Sequence, residues 1–348
     1  MDYLAAFLVI HQDHMEKTMR IKILRATVLG LTLSLFCLGA SAQTYKMTLS
    51  GASPSGLWTV LGVGIDGAVK TSYPGSSVTY QTSGGGLANI ALVDQVKVEL
   101  GIAHDAELRI ATEGSKPYTN PITSLRAIAL LYNWAPMQMV MTKAFAEKYG
   151  IRSFDDIALK KPPLRVAFNK RGNITEHVAV KMFNAIGVDL EDIKKWGGDV
   201  IYAASDEQGD LIKDRRIDMF ANGVFVRTSF IVQAGDAVDL VLLTVSEKVV
   251  QKVSKETGAA PFVVKGGSYP WQPEDVPTVA LGAVMIVNSK MEDKTAYNLA
   301  KSLVEHIDKL QGAHNSMKAI TPKFLASQRV IPYHKGAEKY YREAGLLN

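Results

Sequence analysis

Apolar and polar residues alternate from Tyr45 to Ser50, with Tyr45, Met47 and Leu49 on one side and Lys46, Thr48 and Ser50 on the other. A period of two is that of a half-buried strand. The small-residue stretch Gly51-Ala52-Ser53-Pro54-Ser55-Gly56 ends it, and Leu61, Ile65 and Ala68 then share one face of a helix predicted over 57–69. A turn at Tyr73-Pro74-Gly75-Ser76 introduces a strand from Val78 to Thr82. That strand ends in a second small-residue loop, Thr82-Ser83-Gly84-Gly85-Gly86, which opens a helix predicted from Leu87 to Asp94. Val98 to Ile102 alternates again and predicts a third strand.

The theme returns further along. Leu164 to Phe168 predicts a strand, Asn169 to Thr175 a polar loop, and Val178, Met182, Ala185 and Ile186 a core-facing helical stripe. Ile217 to Ala221 predicts a short strand, 266–277 a long loop, and Ala296, Leu299, Ala300, Leu303, Ile307 and Leu310 one long amphipathic helix. Strands alternating with helices predict an α/β protein with largely parallel sheets. The glycines Gly62, Gly64 and Gly67 match a dinucleotide-binding spacing. They fall inside the predicted helix and not at a strand-to-helix turn, so they are read as packing glycines.

At 348 residues the chain has room for about two domains. Its net charge of +5 has no long basic run, so nucleic acid is not an expected partner. Residues 19–42 carry Arg20, Lys22 and Arg25, then an uncharged apolar stretch to Ala40, then the small-residue site Ala40-Ser41-Ala42. They are read as an export signal cleaved after Ala42, which predicts a periplasmic mature chain and a true start at Met19 or Met15. The apolar stretch is shorter than the roughly 20 residues a membrane span needs. The single cysteine, Cys37, lies in that signal, so neither a disulfide framework nor a cysteine zinc site is expected. The later histidines lack zinc-enzyme spacing and no serine-hydrolase elbow is present, so neither a metal nor a cofactor is expected.

The recurring strand, small-residue loop and helix is the candidate chemistry. Such a loop aims backbone N–H groups from the positive end of a helix, an arrangement that binds anions. Any single loop of this kind is more often a plain helix cap; several of them favour a site. The candidates are Ser53, Ser55 and Gly56 in the first loop, Ser83, Gly84 and Gly85 in the second, and Asn173 and Thr175 in the later one. An arginine fork suits a carboxylate best, and Arg227, then Arg171, are the candidates.

The chain resembles the TAXI-type extracytoplasmic solute receptors of tripartite ATP-independent (TRAP) transporters. The residues that carry the resemblance are the first loop, Thr82-Ser83-Gly84-Gly85-Gly86-Leu87-Ala88-Asn89, 98–102, 151–157, 217–220 and the tail from Ile331 to Gly345. The resemblance implies a two-lobed type II periplasmic binding protein fold with a hinge: lobe 1 over 43–134, lobe 2 over 135–245, and a return over 246–348. It adds Trp58 and Asn89 to the candidate ligand residues. It implies a monomeric receptor for a small organic acid or amino acid, glutamate-like or a dicarboxylate or 2-oxoacid, with TRAP permease subunits as partners. An exported α/β enzyme for a small anionic substrate, or a ligand receptor for a sensor kinase, is the alternative.

Overall fold

In the computed structural model, residues 43–52 and 57–347 are described. The expected signal over 19–42, the residues before it and the loop residues Ser53, Ser55 and Gly56 lie outside them. Ten strands form one sheet: β1 (Lys46–Ser50), β2 (Ser77–Gln81), β3 (Leu100–His104), β4 (Leu125–Thr142), β5 (Arg165–Phe168), β6 (Asp199–Tyr202), β7 (Met219–Gly223), β8 (Leu240–Leu242), β9 (Ala260–Val264) and β10 (Val276–Asn288). The order is β2-β1-β3-β10-β4-β7-β5-β6, with β8 also on β4 and β9 also on β10.

Two long strands join two lobes. β4 pairs antiparallel with β10 through Pro136, then pairs β7 from Met137 and β8 from Val140. β10 pairs β9 over Val276–Ala280 and β3 over Ala283–Ile286. The two-lobed reading of the sequence expects crossing strands near 127–134 and 279–287, the middles of these two. Both run further because each is covered on both faces along most of its length, and a strand buried on two sides loses the alternation that marks its ends. Register shifts between β4 and β10, as between Leu281 and Ala283, bend the pair where the lobes meet. In lobe 1, β1 is parallel to β2 and β3; in lobe 2, β5 is parallel to β6 and β7.

Most predicted elements sit where the pattern put them, with three differences. The third strand is Leu100–His104, two residues later than predicted, because Val98 packs from a bend before the strand. The predicted long C-terminal helix is two helices, Asp293–Glu305 and Ile307–Gln311, since His306 leaves helical geometry at φ −120°, ψ 42°. The long loop is shorter than read, because β10 already begins at Val276.

Gly62 and Gly64 act as packing glycines within the helix Leu57–Ser72. A Cβ on Gly62 would stand 2.8 Å from the Tyr80 ring, and one on Gly64 2.8 Å from the Lys309 carbonyl. The tail has a structural explanation as well. His334 caps the helix Lys335–Glu343 by accepting from the Gly336 N–H, Gly336 leaves no room for a Cβ against Asp293, and the Tyr341 hydroxyl donates to the Ile128 carbonyl on β4. One apolar core runs from Met47 and Leu49 through Leu131 and Met139 to Phe168 and Phe183, so both lobes share it. Among the described residues no helix is long and apolar enough to cross a membrane.

Candidate functional site

In an open α/β sheet the crevice lies beyond the carboxyl ends of the strands, where successive connections leave to opposite sides. β1 has β2 on one side and β3 on the other; β5 has β6 and β7. The chain after β1 and the chain after β5 therefore face the crevice, and both do so here. A cavity of about 170 Å³ is lined by Ala52, Leu57, Trp58, Gly84, Gly85, Gly86, His104 and Glu107 from lobe 1 and by Gly172, Asn173 and Ile174 from lobe 2. It is smaller than the roughly 300–1,000 Å³ of drug-sized sites, as suits a small solute.

Behind its lobe-1 wall lies a polar knot. Asn89 is fully buried. Its Oδ1 accepts from the Ser50 hydroxyl at 2.6 Å, and its Nδ2 donates to the Gly51 and Ile102 carbonyls, both at 2.7 Å. The Ser83 hydroxyl has Asn89 Oδ1 at 2.6 Å and the Gly51 carbonyl at 2.7 Å, one proton for two acceptors, and it accepts from the Gly85 N–H. These bonds tie the ends of β1 and β3 to the turn of three glycines. Gly85 stands at φ 100°, ψ −167°, a region essentially confined to glycine. Gly86, the first residue of the helix Gly86–Asp94, leaves no room for a Cβ because the Glu107 carboxylate lies against it.

The other part of that wall is a relay of side chains. Trp58 Nε1 donates to the Tyr132 hydroxyl at 2.9 Å, and that hydroxyl lies 3.3 Å from His104 Nε2. Burial pushes the Tyr132 phenol well above its ordinary range, so it stays a donor. With its own oxygen accepting from Trp58, its proton goes to His104 Nε2. In the matching tautomer the His104 hydrogen sits on Nδ1, 3.1 Å from Glu107 Oε2. Glu107 also accepts from the His104 backbone N–H at 2.8 Å, closing a capping box on the helix Asp105–Glu113. Asp105 accepts from the Ala106 and Gly282 N–H groups, and burial pushes its carboxyl up to about 7.

On the lobe-2 side, Asn173 caps the helix Ile174–Ala185: its Oδ1 accepts from the Thr175 N–H and hydroxyl, both at 2.9 Å. Gly172 turns the chain with φ 83°. Arg171 lays its guanidinium over the Tyr202 ring, 4.3 Å from the centroid. The loop after β7 reaches the interior through Phe225, packed edge-on against Tyr132 at 5.0 Å.

Of the sequence candidates, Trp58, Gly84, Gly85 and Asn173 come together in the cavity wall. Ser83, Asn89 and Thr175 do not line it; their polar groups are turned into the protein and shape the loops from behind. Neither arginine lines it. Arg171 lies beside the cavity, stacked on Tyr202. Arg227 is exposed, because the chain turns at its left-handed φ of 64° while its N–H donates to the Tyr269 hydroxyl. The buried residue of that loop is Phe225. Sequence reasoning missed His104 and Glu107. Their signal was the i, i+3 spacing of a capping box directly after a strand.

A family model described as the NMT1-like family matches residues 49–345. Among solved structures, MatC from Rhodopseudomonas palustris with bound malate is similar at 12% identity and a TM-score of 0.51, over 88% of this chain and 100% of that one. The periplasmic binding protein BugD is similar at 12% identity and 0.51, over 87% and 98%. A structure described as a periplasmic transporter is similar at 13% identity and 0.50, over 88% and 96%. At such identities the likeness is one of fold: the two-lobed α/β fold of periplasmic binding proteins, as expected from the sequence.

Proposed function

Because the chain belongs to the NMT1-like family, we propose that it is a periplasmic solute receptor and not an enzyme, one that holds a small organic acid or amino acid between its lobes. The observation that carries this is the cavity itself, walled by loops at the carboxyl ends of β1, β2, β3 and β5 on the two sides of the crossing strands. A ligand that touches both lobes favours the closed arrangement and shifts the population toward it. None of the described lining residues is Ser, Thr, Cys or Lys. MatC, which holds malate, supports a small acid on this fold. The signal over 19–42 would deliver the chain to the periplasm. The resemblance of its loops and tail to TAXI receptors supports a TRAP-type permease as the acceptor of the solute.

A thermal-shift screen over amino acids, dicarboxylates and 2-oxoacids tests the receptor reading. A ligand at a hundredfold excess over Kd stabilises by about 2.7 kcal/mol, a shift well within the method's reach. Small-angle scattering with the hit should show a smaller radius of gyration. If no compound shifts the melting temperature, the receptor reading for such solutes is wrong.

A further inference from the structure

We infer that the lobe-1 end of the cavity is built to receive a protonated amine, and that Glu107 selects it. This rests on the receptor reading and names the chemistry its ligand must carry. Glu107 is 3% exposed and lines the cavity. Its Oε2 takes both contacts from His104, while Oε1 has no hydrogen-bond partner among the described residues. A deeply set carboxylate with one oxygen left to the cavity is well met by a cation with N–H donors.

The surroundings exclude the opposite charge. The carboxylate lies against Gly86, the first residue of its helix, so the positive end of that helix is already met by an anion. A ligand carboxylate placed at the Gly84–Gly86 turn would sit beside Glu107 in a site of low dielectric, where like charges repel strongly. His104 offers it no donor: Nδ1 is turned to Glu107 and Nε2 to Tyr132. Trp58 offers none either, since its N–H points to Tyr132 and only its ring is left for the cavity. An indole ring attracts a cation. Every described side-chain feature at this end therefore suits an ammonium group. Donors for a ligand carboxylate lie across the cavity, where Asn173 Nδ2 has no partner among the described residues.

The test is calorimetry on the mature chain with pairs that differ only at the amine, glutamate against 2-oxoglutarate and alanine against pyruvate. Malate and a set of simple primary amines and diamines complete the panel. We expect amine-bearing compounds to bind at least tenfold tighter than their oxo partners. Glu107→Gln, which keeps an acceptor for the His104 N–H but loses the charge, should weaken the amine ligand at least tenfold and leave any oxoacid unchanged or tighter. Oxoacids or malate binding as tightly as amines, or better, overturn the inference while the receptor reading stands. Amines binding with no acid bound uphold the inference and overturn the organic-acid reading. Silence across the whole panel overturns both. Should Glu107→Gln fail to fold, the amine and oxo pairs on the unaltered chain still decide.

Discussion

Asn89→Ala should be among the most damaging single changes that leave the cavity lining untouched. Asn89 is fully buried and makes two Nδ2 bonds to backbone carbonyls and one Oδ1 bond from Ser50, with the Ser83 hydroxyl also in reach. Each such bond is worth about 1 kcal/mol net, and a buried carbonyl left without its donor costs about 1–3 kcal/mol. The missing amide also leaves a void. Together these come to about 4 kcal/mol, which at roughly 2–3 °C per kcal/mol lowers the melting temperature by about 10 °C. Asn89→Asp should be as harmful, because a carboxylate cannot donate to the Gly51 and Ile102 carbonyls and would face them as a like partial charge. Since the knot holds the glycine turn, ligand affinity should also fall at least tenfold at a temperature where the variant is folded. Calorimetry and urea denaturation read the first effect and isothermal titration the second. A loss under about 1 kcal/mol with affinity unchanged would show that the knot does not hold the turn.

Three further outcomes are expected. Burial raises the Asp105 carboxyl from 3.8 to about 7, so the folded state binds the proton more tightly and the stability linked to it, full below about pH 4, is lost as pH rises through 7; Asp105→Asn should remove this slope, worth on the order of 4 kcal/mol, and identical pH profiles for variant and parent in denaturation would refute it. Gly85→Ala places its Cβ in open space yet keeps φ at 100°, so it should cost about 1–3 kcal/mol through the backbone alone; an unchanged melting temperature would sink that account. Arg227 is an exposed non-glycine residue at φ 64°, so Arg227→Gly should stabilise by about 1 kcal/mol, and Arg227→Ala should leave ligand affinity within twofold; a larger loss in titration would put this arginine in the site after all.

Local pattern was enough for the elements it named. The alternation of Met47 and Leu49 against Lys46 and Thr48 is dictated by the pleat, and the spacing of Leu61, Ile65 and Ala68 by the helical turn; neither needs a distant partner to be read. The loops that close on the cavity were legible for the same reason, since a strand, a run of small residues and a helix leave a mark in a few residues. What each loop does was not legible. Ser83 and Asn89 have the side chains of a ligand site, but β1 pairs with both β2 and β3, so the Ser50, Gly51 and Ile102 groups arrive around Asn89 and, with Ser83 itself, occupy its amide. His104 and Glu107 carry only the mark of a helix cap. They became cavity residues because the end of β3 is carried beside the chain leaving β1, from more than fifty positions away. Arg227 has the right chemistry and stands outside, because its backbone turns it to solvent and Phe225 inward. Periodicity comes from the geometry of one element and is written in adjacent residues. Which loop ends meet depends on strand order and two-sided burial, and these are settled only when segments distant in sequence pack together.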